Sequence, residues 1–153
     1  MRHLAPANKC PLCMEKLKGC HPSLALIIQQ LLDNFPDCHI AWGYRNKEMQ
    51  ELFFNEGKSR AHFPNSAHNK TRGGKACSLA VDLFQIDAQG LAQFRGDYYR
   101  KLSQWLKSVG AMIKWGGENI QLRPGVWDGP HFQLDDSLVG IIDQTPLPLV
   151  KGD

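Results

Sequence analysis

The chain has 153 residues, 42% of them hydrophobic and 22% charged, values that fit one globular domain whose core needs no disulfide scaffold. Its formal charge of +3 is spread out, without a run of five or more Lys or Arg, which sets nucleic-acid binding aside. The longest apolar stretch, Leu24 to Ile28, is far too short for membrane insertion, and a monomer is expected.

Residues 1–20 read as an irregular lead-in. Leu24, Ile27, Ile28, Leu31, Leu32 and Phe35 then recur at helical spacing, with Ser23 as N-cap and Pro36 as the stop. His39 to Tyr44 reads as a short strand. Asn46 caps a second helix with Met49, Leu52 and Phe53 on one face, and Gly57 ends it. Residues 58–78 are polar and glycine-rich, a loop long enough to suggest a functional role. Ser78 to Ile86 is a strand. Phe94, Tyr98, Leu102, Trp105, Leu106 and Val109 mark a third helix stopped by Gly110. Ala111 to Trp115 and Pro130 to Leu134 are strands, and a tail with Pro146 and Pro148 follows. This order predicts an α+β fold: one small domain over residues 21–140, an antiparallel sheet with flanking helices, and a tail over 141–153.

Three residues make a candidate metal site. Asp82 lies inside the apolar run Leu79 to Phe84, and a buried aspartate needs a partner such as an arginine or a metal ion. His131 sits in an otherwise apolar strand, and His68 lies in the long loop. Two histidines and one aspartate make an open zinc site that leaves a position for water or substrate. Asp128, three residues before His131, is placed to take a proton from that water, although Asp-Gly-Pro is also ordinary turn chemistry. Glu118 is the next carboxylate to consider. Arg45 follows a strand-ending glycine, where a fixed guanidinium can meet a carboxylate or a developing oxyanion.

The five cysteines are odd in number. Cys10-Pro11-Leu12-Cys13 has zinc-knuckle spacing, and Cys20-His21 follows, so a second zinc is conceivable; without a second matching pair, reduced thiols are expected.

Taken together, GYRNKEMQ at 43–50, SAH at 66–68, SLAVDL at 78–83, WGG at 115–117 and WDGPHFQ at 127–133 resemble the zinc D-Ala-D-Ala carboxypeptidase and L-alanyl-D-glutamate peptidase family, most of all its single-domain phage endolysins. The resemblance spans most of residues 20–135. It implies one catalytic Zn2+ held by His68, Asp82 and His131, with Asp128 as catalytic carboxylate. Arg45 would steady the substrate carbonyl, and Ser66 would contact substrate or support the ligands. It also implies bacterial peptidoglycan as partner, and a host-cytoplasmic location until release to the wall. Cleavage of the L-alanyl-D-glutamate bond is the leading expectation. A D-Ala-D-Ala carboxypeptidase or dipeptidase and a non-catalytic, zinc-stabilised wall-binding module are the alternatives. One departure stands out: thirteen residues lie between His68 and Asp82, more than the family usually has. A loop insertion explains them; the alternative takes His62 as the ligand.

Overall fold

The computed structural model describes residues 2–118 and 128–135. Four helices, α1 (Pro11–Lys18), α2 (Pro22–Asn34), α3 (Lys47–Asn55) and α4 (Gly96–Ser108), flank seven strands among these residues. The strands are β1 (Cys38–Trp42), β2 (Thr71–Arg72), β3 (Lys75–Ala76), β4 (Ala80–Ile86), β5 (Ala92–Gln93), β6 (Ile113–Trp115) and β7 (His131–Leu134). The main sheet runs β1-β4-β7-β6 with β5 added to β4, and every pairing in it is antiparallel. The expected α+β architecture is therefore present. The expected tail over 141–153 lies outside the described residues.

The core lies on one face of this sheet. Leu24, Ile28, Leu31 and Leu32 of α2 and Tyr99, Leu102 and Leu106 of α4 are buried against Ile40, Leu83, Phe132 and Leu134 of the strands. Side chains alternate across a strand, so the residues between these point the other way. On β4 those residues are Asp82 and Phe84. Asp82 pairs with His131 and Phe84 pairs with His39, which collects both histidines on the second face. An irregularity in β1 between Ile40 and Trp42 sets Trp42 opposite Asp82.

Two local expectations need correction. The lead-in is not irregular: a 3-10 turn (Ala7–Lys9) and α1 occupy it, with Cys10 and Cys13 fully buried. Too few apolar residues mark α1 for a helical stripe to stand out; its burial comes from Cys13 and Leu17. The segment 58–78 is also structured. Gly73 (φ 58°) and Gly74 (φ 79°) make the two-glycine turn of a β2–β3 hairpin, the positive-φ pair that such tight hairpins demand. His21, not Ser23, caps α2, its Nδ1 accepting from the Ser23 amide at 3.1 Å. Asn46 caps α3 as expected, accepting from the Met49 amide at 2.9 Å.

Candidate metal centre and cleft

Each candidate ligand is held by a different local device. Asp82 and His131 are cross-strand partners on β4 and β7, the two interior strands of the sheet. His68 comes from a 3-10 turn (Ala67–Asn69) capped at both ends of a reciprocal box. Ser66 Oγ accepts from the His68 amide, and Asn69 Oδ1 accepts from the Ser66 amide. Two further backbone bonds lock the turn in place: Arg45 N to His68 O at 2.9 Å and Leu79 N to Ala67 O at 3.0 Å.

The imidazoles are oriented through their far nitrogens. His68 Nδ1 donates to Gly43 O at 2.7 Å, which leaves Nε2 with a bare lone pair. That Nε2 is buried, makes no hydrogen bond, and lies 3.3 Å from Asp82 Oδ1. His131 Nε2 donates to Gln133 Oε1 at 3.0 Å, and its Nδ1 lies 3.4 Å from the same Asp82 oxygen. Two nitrogens and a carboxylate oxygen thus converge with acceptor character on one point. Only a proton or a cation placed between them relieves that arrangement. The donor set therefore fits a metal ion, with the far-side hydrogen bonds that ligating histidines usually make.

The electrostatics agree. Burial pushes the Asp82 carboxyl up, but the adjacent His68 and His131 rings outweigh it and hold the group well below the usual carboxylate range. Burial lowers His68 from its ordinary value, with Asp82 only partly opposing. At His131 burial acts in the same sense, but the bond to Asp82 wins and the ring is raised.

These three residues lie in a cleft of about 550 Å³ that Arg45, Ser66 and Asp128 also line. Arg45 is 6% exposed, with its guanidinium 4.9 Å from the centre of the Phe53 ring. The Asp128 carbonyl accepts from the His131 amide at 3.2 Å, so the turn carrying the carboxylate is tied to the strand carrying His131. Gly116 lies against this turn: a Cβ there would sit 2.4 Å from Asp128 O and 3.2 Å from His131 Cβ. Two other sequence candidates lie elsewhere. His62 pairs with Glu51 at 2.8 Å and stacks on Phe54 at the surface. Glu118 pairs with Lys107.

The fold is similar to that of solved proteins. The crystal structure of the Serratia marcescens L-Ala D-Glu endopeptidase ChiX superposes with a TM-score of 0.62 at 27% identity, covering 80% of this chain and 86% of that one. No family model and no curated protein matches by sequence.

Sequence reasoning missed the supporting residues. Gln50 is fully buried and bonds Ser59 Oγ, Ala61 O and Asn69, organising the cleft wall from α3, whose Leu52 is instead 46% exposed. Gln133 was legible in principle: two residues after His131 on a strand, it must share that residue's face.

Proposed function

We propose that this chain is a zinc-dependent peptidase of bacterial peptidoglycan that hydrolyses a stem-peptide bond, the L-alanyl-D-glutamate bond first. One observation carries the reading: two imidazole nitrogens and one carboxylate oxygen converge in a cleft that also holds a buried arginine and a second carboxylate. The likeness to an L-Ala D-Glu endopeptidase supports both the reaction class and the bond. The mild positive charge suits a polyanionic wall.

His68, Asp82 and His131 would hold the zinc, a set of three protein ligands of the kind catalytic sites use. When bound, the ion supplies Lewis acidity that acidifies water and polarises a carbonyl. Asp128 takes the proton from the attacking water and returns it to the leaving amine. Arg45, desolvated and fixed against Phe53, meets the carbonyl oxygen as it gains charge. Ser66 acts through His68, by holding the turn that presents it. By its resemblance to single-domain endolysins, the chain serves phage lysis of the host wall.

Digestion of purified peptidoglycan, with mass spectrometry of the new termini, tests the reading. Free L-alanyl carboxylates and D-glutamyl amines are expected. Release of D-alanine alone would establish the carboxypeptidase alternative, and binding without new termini would establish a wall-binding module.

A further inference from the structure

The face of the sheet that carries Asp82 holds a second cluster of donor atoms, next to Phe84. It consists of His3, Cys10, Cys13 and His39, whose donor atoms all lie within 4.8 Å of one another. The four come from three separate stretches of chain: the N-terminal segment, the start of α1 and the strand β1. Cys20 and His21 take no part. Cys20 Sγ faces Lys16 O, and His21 caps α2 while its Nε2 faces Arg72.

The distances match a tetrahedron around a cation. Zinc about 2.3 Å from sulfur and about 2.0–2.1 Å from nitrogen sets each tetrahedral S···N edge at roughly 3.6 Å. The observed edges are 3.3 Å for His3 Nδ1 to Cys13 Sγ, 3.6 Å for His3 Nδ1 to Cys10 Sγ, and 3.4 Å for His39 Nδ1 to Cys13 Sγ. Thiol hydrogen bonding alone serves this arrangement poorly. Cys13 Sγ faces two imidazole nitrogens, and one S–H satisfies only one of them. Both sulfurs also accept from backbone amides, Cys10 from Leu4 and Cys13 from Ile40, each at 3.4 Å. That is the outer support a thiolate ligand receives. Cys10, Cys13 and His39 are fully buried, and the His3 ring meets Phe84 edge to face while the His39 ring lies tilted against it.

The geometry points to a second, structural zinc site formed by His3, Cys10, Cys13 and His39. Four protein ligands close it to substrate, unlike the three-ligand centre in the cleft. Its role is to fasten the N-terminal segment and α1 onto β1, beside the strand that carries Asp82. The inference does not depend on the proposed hydrolytic activity.

Cobalt(II) substitution distinguishes the two centres, because only this cluster contains sulfur. Wild-type protein stripped of metal and reloaded with cobalt should develop a sulfur-to-cobalt charge-transfer band in the near ultraviolet. His131→Ala should keep the band; Cys13→Ser and His3→Ala should lose or sharply weaken it. Should Cys13→Ser fail to fold, thiol alkylation of the wild type reads the same site. Zinc should protect Cys10 and Cys13, and a chelator should expose them ahead of Cys20, Cys38 and Cys77. Cobalt-loaded wild type without the band, or Cys10 and Cys13 equally reactive with and without zinc, would overturn the assignment whatever the peptidoglycan assay shows.

Discussion

Gly116→Ala tests how tightly the cleft depends on its turn. The added methyl would sit 2.4 Å from Asp128 O, 3.1 Å from Asp128 Cβ and 3.2 Å from His131 Cβ. Carbon–oxygen contacts close at about 3.3 Å, so the turn must retreat by roughly 1 Å. Such overpacking costs about 1–3 kcal/mol. In a chain of this size that lowers Tm by roughly 2–4 °C per kcal/mol. The larger effect falls on chemistry. A displacement of about 1 Å in a catalytic group costs on the order of 10²-fold in rate, and here the proposed base moves together with a proposed ligand. Gly90→Ala is the control. Gly90 has φ 81° and open space around its missing Cβ, so alanine there costs roughly 1–2 kcal/mol in strain away from the cleft. Urea denaturation and peptidoglycan digestion should show both variants destabilised, and only Gly116→Ala depleted in activity per folded molecule. Equal activity in the two variants would refute the coupling of this turn to catalysis.

Asp128→Ala should fold, retain zinc by metal analysis, and lose peptidoglycan hydrolysis by on the order of 10²-fold or more; near-normal turnover would transfer the base role elsewhere. His131→Ala should lose the cleft metal together with activity, and zinc titrations of the wild type should show affinity falling as pH drops, because protons compete for His68 Nε2 and His131 Nδ1. Arg45→Lys keeps the charge but not the planar fork, so it should not restore activity to the wild-type level. Steady-state kinetics should place the loss mainly in kcat. Tyr99→Phe removes the buried bond from Tyr99 Oη to Leu83 O at 2.7 Å, and urea denaturation should read a loss of about 1–2 kcal/mol with hydrolysis per folded molecule unchanged.

Two of the candidate ligands, Asp82 and His131, stood out in the sequence because each breaks the pattern around it. An aspartate in an apolar strand and a histidine next to a buried phenylalanine are conspicuous, and β4–β7 pairing turns that oddity into a cross-strand contact. Helices with long apolar stripes, α2 and α4, were legible for the same physical reason. Short elements were not. β2 and β3 each span two residues and owe their existence to the glycine turn and to closing bonds rather than to any run of strand-forming residues. The cluster of His3, Cys10, Cys13 and His39 escaped notice because sequence spacing exposes only its Cys10–Cys13 half. The other half depends on the N-terminal segment folding back beside β1, a tertiary contact with no local signature. Gln50 was hidden because a buried polar residue on an amphipathic helix looks, from sequence, like part of its solvated face.

The β2–β3 hairpin departs from and returns to nearly the same point: the Cys77 amide donates to Lys70 O at 2.8 Å, and the Ser78 amide then joins Gly19 O at 2.9 Å. Arg72 reaches His21 at 3.3 Å and fastens one arm to the start of α2. The distance in chain length between His68 and Asp82 is thereby uncoupled from their distance in space. Closing a longer excursion adds only about 0.6 kcal/mol for each doubling of length. Gly73 and Gly74 consequently mark a natural splice point. A foreign peptide or small module grafted there would enter and leave the chain without asking His68 and Asp82 to move.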